Sequence, residues 1–198
     1  MSEIVDLYDL AGTVVGQAPR SRVRAQNLRH AATGLLVRNG RGDIFVHRRT
    51  DTKDVYPGMY DVAAGGVITA GEDPDAAATR EAEEELGVHG VPLHRLGVAH
   101  YADAHTDYVA FLYETVYDGP IRLQPEEVAW GAWLPPRQVL AWLDDPDRPF
   151  VPDTISLLRG HLDRLGRWSQ PDERGRHVSS AAPEPGPRPT SRGGRGSR

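Results

Sequence analysis

Glu81, Glu84 and Glu85 stand at positions i, i+3 and i+4, the spacing that puts three side chains on one face of an α-helix. Carboxylates this close repel one another, and near a helix C-terminus they also meet the negative end of the helix dipole. The same segment has one cation, Arg80, and no Lys. The missing positive charge is what a hard divalent cation held by oxygen atoms would provide, with Mg²⁺ as the expected ion and Mn²⁺ as the alternative. A solvated acidic face is the competing reading of the spacing alone. Gly65-Gly66, just upstream, tilts the balance, because a glycine loop can bend back and turn a backbone carbonyl toward the same ion.

A helix has to present that face. Asp73 is a good N-cap, Pro74 suits the first helical position and Gly87 suits the residue after the last turn. Within it, Ala78, Ala82 and Leu86 form an adjacent apolar face, and Glu83 points outward. Upstream, residues 4–10 and 11–15 read as two short strands around a turn. Residues 32–38 and 43–48 read as a β-hairpin, with Asn39-Gly40-Arg41-Gly42 supplying its turn. Residues 60–67 are small and apolar. Residues 93–100, 108–117 and 129–134 alternate as strands, and residues 136–143 and 153–165 have helical spacing, the latter through Ile155, Leu158, Leu162 and Leu165. The expected class is α+β with a mixed β-sheet.

Composition narrows the chemistry. The chain has 198 residues, 23 Lys+Arg against 28 Asp+Glu, and no cysteine. Disulfides, thiolate metal sites and cysteine nucleophiles are excluded. No apolar run approaches a membrane span and no apolar leader is visible, so a cytoplasmic protein without a membrane partner is expected. Residues 169–198 are dominated by Pro, Gly, Ser and Arg and nearly lack apolar side chains, which predicts a disordered tail. That tail is basic, leaving an acidic remainder, so nucleic acid is not the expected partner. The division anticipated is residues 1–30 as a lead-in with strands, 31–168 as the functional domain and 169–198 as the tail.

From Gly66 through Glu72 to Arg80-Glu81-Ala82-Glu83-Glu84-Glu85-Leu86-Gly87-Val88, the chain resembles the Nudix box with every fixed position filled. The resemblance implies an α/β/α sandwich and a metal-dependent hydrolase that cleaves the diphosphate linkage of a nucleoside diphosphate joined to another moiety X. It implies Glu81, Glu84 and Glu85 as metal ligands, aided by the Gly65 carbonyl, with Arg80 orienting them and Glu72 bracing the loop against the helix. Gly66 and Gly87 would be structural. Glu84 or Glu85 would be the base. A further acid completes such sites in relatives, and Glu127 sits where it would fall, with Glu126 as its rival. A small-molecule diphosphate is the expected partner, and homodimers are common among such proteins.

The stretch from Arg48 to Tyr60 is similar to the diphosphate-gripping segment of isopentenyl-diphosphate isomerase, which implies Arg49 and Lys53 as substrate-binding residues. His30 resembles one of that enzyme's metal-binding histidines, although a histidine packed at a strand edge fits equally well. The isomerase itself is disfavoured: Ala64-Gly65-Gly66 stands where its Cys-Gly-His element belongs, and alanine cannot move a proton. A catalytically silent binding module ranks third, because the carboxylates are retained. Trp130, Trp133 and Trp142 read as core or edge aromatics before base-stacking ones. Asp103-Ala104-His105-Thr106 carries neither the Pro nor the Tyr that marks certain Nudix substrates.

Overall fold

A computed structural model describes residues 3–168; the expected disordered tail at 169–198 lies outside them. The chain order is β1 (Ile4–Tyr8), β2 (Val14–Pro19), α1 (Arg20–Gln26), β3 (His30–Arg38), β4 (Ile44–Arg49), β5 (Tyr60–Asp61), β6 (Ala63–Ala64), α2 (Pro74–Leu86), β7 (His94–Ala102), β8 (Asp107–Val116), β9 (Val128–Leu134), α3 (Pro136–Leu143) and α4 (Pro152–Trp168). Strands β1 and β2 pair antiparallel as a separate ribbon. The other seven form one mixed sheet in the order β5-β4-β3-β8-β7, with β6 beside β3 and β9 beside β4.

The period-2 alternation of the strands assigns the two faces. Leu35, Val37, Phe45 and Tyr113 point to the side covered by Ala78, Ala82 and Leu86 of α2. Leu36, Ile44, Val46 and Leu112 point to the other, where α3 and α4 add Val139, Trp142, Leu158 and Leu162. The result is helix, sheet, helix, as expected. Trp130 and Trp142 stack beside Tyr60, and Trp133 meets Phe45 edge-on, so all three tryptophans pack with the core.

One expectation fails. β3 and β4 do not form a hairpin ladder: they share the single pair Arg38↔Ile44 beside the turn and then diverge. β3 instead runs parallel to β8 along its whole length, and β4 pairs with β9. The Asn39 turn is sound, with Asn39 Oδ1 accepting from Arg41 N and Asp43 N. A strand buried on both faces gains more from a long parallel partner in the centre of a sheet than from its sequence neighbour. At the N-terminus, the second strand begins at Val14 and extends to Pro19, and the short helix α1 was not anticipated. No helix among the described residues is long and apolar enough to cross a membrane.

Candidate functional site: an acidic helix face beside a cation-lined cavity

Helix α2 begins and ends where its sequence dictates. Asp73 accepts from Asp75 N (2.9 Å) and Ala76 N (3.3 Å), with Pro74 at the first turn. At the other end Gly87 takes φ 69°, and Gly87 N and Val88 N donate to Glu83 O and Ala82 O, both at 3.0 Å, closing the helix in a Schellman-type cap. These two fixed ends set the rotation of the glutamates.

Glu81 lies over the backbone of the 65–66 loop so closely that a Cβ on residue 66 would sit 2.5 Å from its Oε1. A larger residue there would have to displace the Glu81 carboxylate. Glu85 is buried, at 6% exposure, and accepts from Gly65 N at 3.1 Å. Burial, then the neighbouring Glu81 charge, pushes its carboxyl up to about 7. Burial also raises Glu81, against the opposing pull of Arg80. Glu84 is the exposed member.

Arg80 organises this face. It binds Glu72 through Nε (2.9 Å) and Nη2 (3.1 Å), Glu81 at 2.7 Å and Glu84 at 3.2 Å. Hydrogen bonds from Arg80 first, then from Thr69, hold Glu72 at a pKa of about 2. Glu72 therefore links the 69–72 turn to the helix.

Glu127 reaches the same hollow as Glu81, Glu84, Glu85, Gly65 and Gly66, where it ion-pairs with Lys53. Glu126 lies outside that hollow. The donor set is all oxygen, which suits a hard divalent ion. Among the described residues no three carboxylate or imidazole side chains yet converge as a metal cage, since Arg80, Gly65 N and Lys53 engage the carboxylates instead.

Arg20, Lys53, Gly65 and Gly66 are shared between that hollow and a second, deeper cavity of about 120 Å³. Its rim carries Arg20, Arg24, Arg49 and Lys53, and its interior includes Asp61, Tyr108, Asp153 and Leu158. Asp61 Oδ1 accepts from Val62 N and Ala63 N, and burial pushes its pKa up to about 7. Tyr108 donates to Asp153 Oδ2 at 3.0 Å. Arg49 and Lys53 both line this cavity. His30 borders this cavity but is buried, with Nδ1 hydrogen-bonded to Leu28 O, so its strand-edge reading fits. Arg20, Arg24, Asp61 and Asp153 escaped the sequence reading, because no local pattern links them.

The NUDIX domain family model matches residues 28–154. The chain belongs to the Nudix family. Orf19, a Nudix hydrolase of Rhodococcus erythropolis, is 45% identical over 166 residues, a match covering 79% of this chain and 90% of the relative. The Nudix hydrolase YfcD of Escherichia coli K12 is 43% identical, covering 79% and 85%. Among solved structures, DR0079 of Deinococcus radiodurans superimposes with a TM-score of 0.68 at 28% identity, covering 80% of this chain and 98% of that one. The NUDIX domain of Shewanella oneidensis NrtR, solved with ADP ribose, shares the fold with a TM-score of 0.54 at 17% identity, covering 75% and 99%.

This chain is therefore a Nudix hydrolase, of a family that acts on nucleoside diphosphate derivatives, generally with divalent metal ions. The Nudix box spans the 66–72 loop and α2, and the family match ends within α4. It begins after α1, so Arg20 and Arg24 stand outside it.

Proposed function

We propose that this Nudix hydrolase binds Mg²⁺, or Mn²⁺, on Glu81, Glu84, Glu85, Glu127 and the Gly65 carbonyl, and cleaves a diphosphate gripped by Arg49 and Lys53. The observation that carries the reading is the contact between the two hollows: Lys53 and Gly65–Gly66 line both. A diphosphate lying across them meets the carboxylate face at one phosphorus and places its other moiety X in the deeper cavity. Divalent ions bound there neutralise phosphate oxygens and lower the pKa of the attacking water.

The chain's own residues divide the remaining work. Glu85, buried and fixed by Gly65 N, acts as a ligand. Glu84, exposed and hydrogen-bonded by Arg80, would combine its ligand role with that of the base, taking the proton of the water as it attacks phosphorus and the bridging P–O bond breaks. Arg80 keeps Glu81 and Glu84 in place through its anchor on Glu72. Residues 31–168 carry the metal-binding carboxylates with Arg49 and Lys53 in this reading, and removal of residues 169–198 leaves turnover unchanged.

The cavity also speaks to X. At about 120 Å³ the cavity is smaller than the ~150 Å³ that holds a benzene ring, so it takes only a small part of X beyond the phosphates. Asp61 and Asp153 already have donors in Val62 N, Ala63 N, Thr154 N and Tyr108, but a hydrocarbon against their carboxyls would strip them of water, whereas a polar group would not. That favours a polar X over the isoprenoid of the isomerase.

Appearance of phosphomonoester, pyrophosphate or phosphate products from nucleoside di- and triphosphates, nucleotide sugars, dinucleotides and isopentenyl diphosphate tests the reading, run with Mg²⁺ or Mn²⁺ and with EDTA. Turnover is expected to need the metal and to fall by orders of magnitude in Glu84→Gln. Equal turnover by Glu84→Gln, or turnover indifferent to EDTA, overturns it.

A further inference from the structure

The N-terminal ribbon and α1 are locked onto the loop between the two hollows. Ala70 N donates to Ile4 O and Gly71 N to Asp6 Oδ2, both at 2.9 Å. Val5, Ala18 and Val23 pack with Val67 in a small core of their own. Asn27, left-handed at φ 48°, ends α1 and donates from Nδ2 to Asp103 O at 2.8 Å. With Val23 turned inward and the C-terminus pinned, α1 has one orientation available, and in it Arg20 and Arg24 both border the deep cavity. They are four apart, hence neighbours on one face.

That placement is electrostatically unfavourable for the free protein. Arg20 has Glu3 at 2.7 Å, and Lys53 has Glu127. Arg24 and Arg49 form no ion pair among the described residues, and the Nε of each is buried there without a hydrogen-bond partner. Burial, then the like charge of Arg20, lowers the pKa of Arg24; Asp54 opposes this less strongly, Arg49 adds to it and Asp153 opposes it. Desolvated, unpaired guanidinium groups packed among like charges destabilise a fold. Nothing in the packing of α1 requires them, since Val23 and Asn27 already dock it. An anion with several oxygens would satisfy all of them at once, and guanidinium is the group best shaped to bind phosphate through paired donors.

We propose that Arg20 and Arg24, supplied by a segment that precedes the family's matched residues, bind the substrate's phosphates together with Arg49 and Lys53. The N-terminal ribbon and α1 are then part of the active site. The inference rests on the diphosphate reading above but makes its own demand: an anion must bind less well when α1 loses its cations, whether or not it is cleaved. Within the proposal Arg24 is the sharper probe, because Arg20 also ties α1 to Glu3.

Calorimetric titration of the full chain with methylenediphosphonate in Mg²⁺ reads this directly, because its P–C–P bridge cannot be hydrolysed. Arg24→Gln, which keeps most of the packed stem, is expected to weaken binding roughly 10-fold or more, the scale of a lost charge-assisted hydrogen bond. Arg20→Gln/Arg24→Gln should weaken it further and flatten the dependence of Kd on salt. The melting temperature of unliganded Arg24→Gln is expected to equal or exceed that of the parent, which a purely structural arginine would not allow. Kd within twofold of the parent in both variants overturns the inference, as does a fall in unliganded melting temperature large enough to account for the lost affinity. The hydrolase reading fails separately: phosphonate binding that depends on Arg24, with no metal-dependent cleavage of any diphosphate, removes the hydrolase and leaves the anion site.

Discussion

Helix α2 and the deep cavity are neighbours, yet they are built by opposite means. Every functional side chain of α2 comes from one continuous segment, and its geometry follows from 3.6 residues per turn between two fixed caps. The cavity draws Arg24 from α1, Arg49 from the end of β4, Asp61 from β5, Tyr108 from β8 and Asp153 from α4. Its geometry exists only once β3 lies beside β8 and the ribbon has docked. The first region gathers Glu72, Glu81 and Glu84 around Arg80 and leaves Glu85 buried and raised, whereas the second holds two arginines without ion pairs and buried carboxylates in one small space. The comparison separates a face set by one helix from a cavity whose charges are assembled from five elements.

The largest expected effect lies in the first region. Glu84→Gln and Glu85→Gln should each lower kcat by about two orders of magnitude or more, the scale of losing a ligand or a base. Both keep side-chain shape, and Glu85→Gln removes a buried charge, so its unliganded melting temperature should rise. Phosphate release and thermal melting check the pair. Normal turnover in both would mean that the acidic face is only a solvated surface and would erase the contrast between the regions.

A second, smaller effect concerns the brace. Arg80→Met should cost about 1–2 kcal/mol of stability, because Glu72 and Glu81 lose their shared partner at a half-exposed position. Turnover should fall together with it, since Glu81 and Glu84 would no longer be held. Denaturant unfolding and kcat are the measurements. A change in stability without a change in kcat would confine Arg80 to folding.

These two regions also mark what the sequence could disclose. Asp73, Pro74 and Gly87 delimit α2 from local preference alone, and the Gly66-to-Val88 spacing carries its chemistry, so that region was legible residue by residue. The β3–β4 hairpin was misread because the turn at Asn39–Gly42 is a real local signal, while the choice of β8 as partner depends on burial of both sheet faces. Helix α1 was missed since Arg-Ser-Arg-Val-Arg-Ala-Gln offers two apolar residues, Val23 and Ala25, too few for a period. Arg49 and Lys53 were found through a resemblance that reaches along the chain. Arg20 and Arg24 had no such neighbour, and the one available hint was a cluster of arginines with no acids among them.

The next effect sharpens the receptor side and should appear in affinity alone. Arg49→Gln is expected to raise KM for a diphosphate substrate roughly 10-fold while kcat changes by less than a few fold, because Arg49 borders the deep cavity and not the acidic hollow. A kcat loss equal to the KM change would instead place Arg49 on the reacting phosphate.

The smallest effect is a pH dependence set by Asp61. Burial holds its carboxyl near 7, far above the ordinary 3.8, despite the opposing charge of Arg49 and the N–H donors of Val62 and Ala63. The folded protein therefore keeps a proton that the unfolded chain releases between about pH 4 and 7, and stability must fall as pH rises through that window. Asp61→Asn retains an oxygen for both N–H donors and cannot ionise, so its melting temperature should decline less from pH 5 to pH 8 and exceed the parent's at pH 8. Glu85 titrates in the same window by the same cause, so Asp61→Asn/Glu85→Gln should flatten the curve further. Melting curves of the parent and Asp61→Asn that run parallel would show that Asp61 is already ionised and paired in the free protein, and the cavity would lose its character as an unfinished site. A phosphate-bearing ligand adds a second reading. If its X group donates to Asp61, binding should favour the carboxylate and shrink the stability that the parent loses as pH rises, an effect absent from Asp61→Asn.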